Sequence, residues 1–558
     1  MAKKSWLFSI ISLAAGASLI VAAFAGPAAG GASSEARKGG TIRVNMPGSD
    51  IDDIDPSIAY GTYSWSMWYA SALKLLNYPD AVAPRGSRLV PEGASSFTVS
   101  RDGKTYTFNI RPGFTFSDGR KVTANNYAYA INRAADKDLQ SPAFQFVADP
   151  SGANVIGMQD VRDGKAGKAT GVKVLKNGTQ LRITLSKADA TFIAKITMPF
   201  FQAMSTRLPR AKKVISVSKV TDLPSAGPYY VSFREPNRTV ILKRNPNYKG
   251  SRPANADAVE FRANINEEAS YRQIIAGEVD TMFTVPPTAA AELGQKYGVN
   301  KTQFRVEPLN CTRYIALNTS RPLFQNNIPL RKAVNFAISR TAMNQQYGAF
   351  AGRPHDQVLP PAFPGFRNEN IYPATPNINQ AKQLAQGNTR SGKAVVYYGL
   401  TGVGPQLLEL TRAALGQLGL ETDARGFRGF AIYDAAGKRN SEHDIVVGSG
   451  WCQDYPDPYD FVNVLLYGGN IQEDNNNNLS YFNNAAYNKK MEDAAKMVGE
   501  ARLKAYGDLD IDIIKNQAPW APWQNINERV FLGNRLDVKT YVWQPIYENI
   551  AWNALSLK

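Results

Sequence analysis

Two cysteines and two histidines among 558 residues leave little room for several chemistries. A zinc site built from four thiolates is excluded by count, and His355 and His443 are too far apart for the paired spacing of a metal motif. HExxH, GxSxG, GxxxxGK[ST] and GxGxxG are all absent. Metal-assisted hydrolysis, α/β-hydrolase chemistry and nucleotide binding therefore have no support, and neither a cofactor nor a metal is expected. Beyond the N-terminus no segment approaches the ~20 apolar residues that a spanning helix needs. Blocks of like charge are also missing: the net charge of +17 comes from Lys and Arg scattered along the chain, in runs of no more than two or three. That pattern reads as a solvated surface, and no nucleic-acid partner is expected.

What is present begins with an export signal. Lys3 and Lys4 precede a mostly apolar stretch from Trp6 to Phe24, and Ala23-Phe24-Ala25 supplies a small-x-small cleavage site, so residues 1–25 read as a signal peptide. An uncleaved anchor is the alternative, although Ser9, Ser12, Gly16 and Ser18 dilute the run. The protein is expected in the periplasm or another extracytoplasmic space, without the cysteine that carries a lipid anchor. Cys311 and Cys452, 141 positions apart, then point to one disulfide, with free buried thiols as the alternative.

A hydrophobic content of 44% and a length of 558 residues predict two or three folded domains. After a Gly/Ala/Ser linker at 26–40, Thr41 to Met46 reads as a strand. Asp50, Asp52, Asp53 and Asp55 follow, but a calcium loop is rejected because Asp55 and Gly61 occupy the places that demand Gly and a carboxylate. Tyr60, Tyr63, Trp65, Trp68 and Tyr69 continue in a helix-like segment. Thr105 to Ile110 alternates as a strand, and Thr123 opens a helix with Tyr127, Ala130, Ile131 and Ala134 on one face. Further strands are predicted at Leu181–Leu185, from Tyr229, and at 239–243, with a helix from Glu267 closed by Gly277. Later come a strand at 314–317, a helix from Pro329, a strand at 395–398 and an amphipathic helix ended by Gly419. The last hundred residues hold two helices and two edge-type segments.

The most informative stretch runs from Asp444 to Phe461. It opens as a β-branched strand, breaks at Gly450, and enters a loop of Trp451, Cys452, Asp454, Tyr455, Asp457 and Asp460 stiffened by two prolines. A strand delivering aromatics and carboxylates to its end is how a rigid scaffold presents a ligand. Two other readings stay open on these residues. Trp65, Trp68, Trp451 and Tyr455 could stack on an oligosaccharide, and Asp454 with Asp457 could serve a secreted hydrolase.

Several motifs resemble the bacterial extracellular solute-binding protein family 5, which includes oligopeptide- and dipeptide-binding proteins of ABC importers. They are Gly39-Gly40-Thr41-Ile42-Arg43-Val44, Ser100 to Phe108 with Arg111 to Gly119, Ala226-Gly227-Pro228-Tyr229, Arg244-Asn245-Pro246-Asn247-Tyr248, Gly277-Glu278-Val279-Asp280, Pro329 to Val334, and Trp451 to Pro458. The resemblance implies an α/β, periplasmic-binding-protein-like fold of the class II type. Lobe I would comprise 41–78, 188–308 and 526–558, lobe II 79–187, and lobe III 309–525, with ligand held in a hinged cleft between lobes I and III. It further implies that Cys311 and Cys452 are joined, and that Asp454 meets a peptide's α-ammonium. Arg439 resembles a basic residue that meets a ligand carboxylate, and Tyr60, Tyr63 and Trp65 fall where the family lines its pocket. Gly450, Trp451 and Tyr455 complete the candidate wall. The implied partners are a peptide and the permease subunits of an ABC transporter, with the protein itself a monomer.

Overall fold

Alternation sets the strands. In Thr105–Ile110 the side chains of Tyr106, Phe108 and Ile110 are buried while Thr105, Thr107 and Asn109 are not, the two-residue period of a sheet with one face on the core. In the computed structural model, which describes residues 37–47, 51–148, 153–210 and 215–558, such strands assemble into three main sheets. The expected signal segment and most of the expected 26–40 linker lie outside the described residues.

The first sheet has five strands in the order Thr281–Met282, Thr41–Asn45, Ala258–Arg262, Thr239–Arg244, Tyr229–Glu235. Thr41–Asn45 runs parallel to both neighbours. Ile42, Val44, Val240, Leu242 and Phe261 from this sheet pack with Trp68 and Trp552 in one core. The second sheet is antiparallel, in the order Ala94–Val99, Thr105–Ile110, Gln180–Thr184, Val172–Leu175. Helix Ala124–Arg133 lies against it, started by a capping box between Thr123 and Asn126. Arg133 at its last turn holds Asp55 in a fully buried ion pair, which ties the acidic loop after the first strand to this helix.

The third sheet has six strands in the order Gly352–Pro354, Trp520–Phe531, Phe304–Leu317, Ile445–Cys452, Lys393–Gly399, Glu421–Phe427. Helices Ile328–Ala337 and Gly404–Gln417 cover it, and Leu330, Val334, Leu407 and Leu415 pack on Ile315, Ile445 and Val447.

Three elements differ from the sequence reading, each for a local reason. The strand from Ile445 does not break at Gly450: Gly450, Trp451 and Cys452 pair with Arg313, Thr312 and Cys311. The glycine that bends this strand is Gly448, left-handed at φ 83°, where Val447 and Gly448 face Ile315 in a bulge. Phe304–Leu317 begins ten residues before Tyr314, and Trp520–Phe531 is an interior strand rather than an edge. Pro522 is tolerated there because it stands beside a register shift.

These two long strands cross from one body of the protein to another. Residues 304–308 pair with 527–531, beside the first sheet, where Thr281 donates to the carbonyl of Phe531 at 2.9 Å. Residues 312–316 pair with 520–525 inside the third sheet. Between the two runs Leu309, Asn310 and Cys311 bulge opposite Ile526. The Asn525 side-chain amide spans the gap, donating to the carbonyls of Leu309 and Cys311 at 3.0 and 2.9 Å.

Candidate ligand-binding site

A cavity of about 540 Å³ opens at this crossing, a size usual for a small-ligand site. One wall comes from the acidic loop and the helix after it. Asp52 accepts the backbone N–H groups of Tyr60 and Gly61 and the Ser64 hydroxyl, so its charge is spent fixing the turn that aims Tyr60 inward. Trp65 and Tyr63, on helix Thr62–Ser71, extend this wall, and the Tyr63 ring meets Phe283 at 4.4 Å, tilted by 33°. The opposite wall comes from the third sheet: Arg313, Gly450, Trp451 and Asp454. A third comes from the C-terminal segment, with Tyr547 and Glu548.

Six of the eight candidate ligand residues thus line one cavity: Tyr60, Tyr63, Trp65, Gly450, Trp451 and Asp454. Tyr455 is not among them. It follows Asp454 on the other side of the chain and is sealed in the core, with Phe146 at 6.3 Å. Arg439 is not among them either; it is exposed and pairs with Glu473 at 3.3 Å. Cys311 and Cys452 are joined by a disulfide between directly paired residues of the two central strands.

Asp454 brings a half-buried carboxyl to the lining. Its Oδ2 accepts the Tyr60 hydroxyl at 2.5 Å, and its own backbone N–H donates to Asp460 Oδ2 at 2.8 Å. Burial pushes its carboxyl up to about 7. Asp460 is also raised, by burial and then by the charge of Asp454. Among the described residues no cationic side chain pairs with Asp454. Glu548 behaves alike: it accepts the Asn310 N–H at 2.6 Å, and burial pushes it up to about 8. Sequence reasoning missed Glu548, Glu528, Arg313 and the Asn475–Asn477 stretch of the lining. Glu548 carries a left-handed φ of 48°, unusual for a glutamate, but no local pattern announces it.

The match of a family model to residues 88–473, described as "Bacterial extracellular solute-binding proteins, family 5 Middle", covers more than half of the chain. The chain belongs to solute-binding protein family 5. Among relatives of this family 5 protein, the heme-binding protein A of Haemophilus influenzae is 27% identical, over 82% of each chain. The periplasmic oligopeptide-binding protein OppA of Salmonella typhimurium is 23% identical, over 78% of this chain and 80% of its own. The murein tripeptide binding protein MppA of Escherichia coli has the same fold, with a TM-score of 0.78 at 21% identity over 93% of this chain and 98% of that one. Its unliganded open form gives 0.62. The fold is therefore mixed α/β of the class II periplasmic-binding-protein type, and the family is one of binding proteins rather than enzymes. The OppA relative is described as periplasmic.

The geometry of this family 5 protein also bears on the two competing chemistries. Asp457, offered as a hydrolase partner for Asp454, does not line the cavity and is engaged by Arg502 at 2.8 Å. Trp68, offered as a sugar platform, is sealed in the first core, and Trp451 meets Tyr60 edge-on at 90°.

Proposed function

We propose that this family 5 protein captures peptides in the cavity between two lobes, closes over them, and delivers them to a membrane permease. In this reading lobe I is 41–78, 188–308 and 526–558, lobe II is 79–187 and lobe III is 309–525. The hinge is the bulged crossing at Leu309–Cys311 and Ile526, where the ladder between the two long strands is interrupted. Closure stores affinity because the ligand contacts both lobes only in the closed state.

The observation that carries the proposal is a half-buried carboxylate on the cavity wall with no ion-pair partner among the described residues. Asp454 accepts the Tyr60 hydroxyl and shares a side-chain hydrogen bond with Asp460, another acid, so its neighbours bring no compensating charge. A peptide's α-ammonium supplies the missing charge, and the edges of the wall strands offer backbone groups that pair with any sequence. Acetylating the ligand removes that charge without changing the pocket. Calorimetry with a captured peptide and its N-acetyl form should show the acetylated one bound about tenfold or more weakly. Equal binding of the two would sink the assignment of Asp454.

A further inference from the structure

Cys311 and Cys452 both line the cavity, so their disulfide belongs to the wall that a ligand touches. Alternation puts Cys311 and Arg313 on one face of the third sheet, with Cys452 and Gly450 opposite them on the neighbouring strand. Gly450 brings no side chain to cover that face. The two cysteines differ in access: Cys311 is fully buried, whereas Cys452 is partly exposed. A group arriving through the cavity therefore meets Cys452 first.

Glu548 stands at the other sulfur. Its Oε1 accepts the backbone N–H of Asn310 at 2.6 Å, and its Oε2 lies 3.6 Å from Cys311 Sγ. A disulfide sulfur carries no hydrogen, so a proton in that contact belongs to the carboxyl. Burial pushes Glu548 up to about 8, which keeps such a proton in place at neutral pH. Stapling two strands requires neither an acid at one sulfur nor access to the other. Thiol–disulfide exchange uses both, because one sulfur is attacked and the other leaves.

We propose that this disulfide is reactive and captures thiol-bearing peptides in the cavity by exchange. The ligand thiolate attacks Cys452 Sγ, forming a new S–S bond to the ligand while the Cys311–Cys452 bond breaks. The electron pair of the broken bond leaves on the Cys311 sulfur, which takes the proton of Glu548 and becomes a thiol. The ligand sulfur is oxidised and Cys311 reduced, so no further oxidant or reductant enters. In reverse, Cys311 returns its proton to Glu548, attacks Cys452 and expels the ligand unchanged. The inference rests on the peptide reading above and adds a ligand class to it. Asp454 lies two residues beyond Cys452, about 7 Å at most, so a peptide held at Asp454 by its α-ammonium presents a thiol from its first or second residue.

The test incubates the full protein with a tripeptide carrying cysteine at its second position, and separately with its serine analogue. Samples are quenched in acid, alkylated at low pH with N-ethylmaleimide, and mapped by mass spectrometry without reductant. The cysteine peptide should add its whole mass to Cys452 and leave Cys311 alkylated. The serine analogue should add nothing covalently, yet be retained in native mass spectra. Glu548→Gln should form the adduct about tenfold or more slowly at pH 7. The ratio of wild-type to variant rates should fall toward one as pH rises past about 8, where the wild-type acid loses its proton. A glutamate with only a structural role would give a ratio independent of pH. The wild-type arms need no variant to fold. No adduct from the cysteine peptide while its serine analogue binds, an adduct on Cys311, or one formed as fast by mercaptoethanol overturns this inference alone. Retention of neither peptide overturns the peptide reading and this inference with it.

Discussion

Peptide affinity should fall steeply as pH drops below 7, and Asp454 sets the slope. The perturbation is a pH series from 8 to 5 on wild-type protein and on Asp454→Asn. In the free protein burial raises the Asp454 carboxyl to about 7, so it takes up a proton as pH falls through that range. Only the carboxylate can pair with an ammonium, so binding below that point must first drive off a proton. Well below that point each unit costs about 1.4 kcal/mol, and for a group titrating at about 7 the fall from pH 7 to 5 is ~50-fold in affinity, about 2.3 kcal/mol. Above pH 7 the profile flattens, then turns down as the peptide's own amine loses its proton near ~8. An ion pair at about 4 Å contributes ~4 kcal/mol at an effective dielectric near 20, before desolvation is subtracted, so ionisation at neutral pH is easily recovered. Asp454→Asn should bind more weakly, by roughly 2–5 kcal/mol at pH 7.5, and should lose the slope between 7 and 5. Glu548 and Glu528, pushed to about 8 and about 7, titrate in the same range, so Glu548→Gln and Glu528→Gln serve as controls that keep the slope. Isothermal calorimetry in two buffers of different ionisation enthalpy reads both the affinity and the proton released. Wild-type affinity unchanged between pH 7 and 5, or a slope that survives in Asp454→Asn, would refute the reasoning.

Three other outcomes can be checked. The unliganded protein should gain thermal stability as pH falls from 8 to 6.5, because Asp454, Asp510, Glu528 and Glu548 all have raised folded values and bind protons there that the unfolded chain does not. Below 6.5 the gain is opposed by His355 and His443, which burial lowers to about 4 and which the unfolded chain protonates first; a melting temperature that falls between 8 and 6.5 contradicts this. Asp457→Ala should destabilise by about 3–5 kcal/mol in urea unfolding, since Arg502 would keep its charge with a side chain only 6% exposed. Replacing both Cys311 and Cys452 by serine should cost about 2–5 kcal/mol, because the bond closes a loop with a sequence separation of 141 in the unfolded chain, and a loss under 1 kcal/mol would argue that strand pairing alone holds that junction.

Much of this architecture is legible from local pattern. The alternation of Thr105–Ile110, the Thr123 cap and the stop at Gly419 each depend on residues a few positions apart, so the sequence carries them openly. Elements that depend on distant partners are not. Gly450 looks like a break because glycine usually is, yet a register shift against Phe304–Leu317 absorbs the irregularity and pairing continues. The cavity was half visible for the same reason. Tyr60 and Trp451 sit in aromatic clusters that invite attention, whereas Arg313 is one arginine inside a strand and Glu548 one glutamate in a C-terminal turn. Only the return of residues 520–552 to the crossing brings Glu548 there. Arg439 shows the converse, since a position carried across an ungapped loop need not share the loop's course.

The strand Trp520–Phe531 has a consequence for synthesis. It fills a slot between Gly352–Pro354 and Phe304–Leu317, strands made some two hundred residues earlier. Until a ribosome has released almost the entire polypeptide, the third sheet has a gap beside its longest strand, and the first sheet lacks Trp552 from its core. Closing such distant contacts is slow compared with forming helices. A growing chain therefore stays without its final shape for nearly the whole of translation.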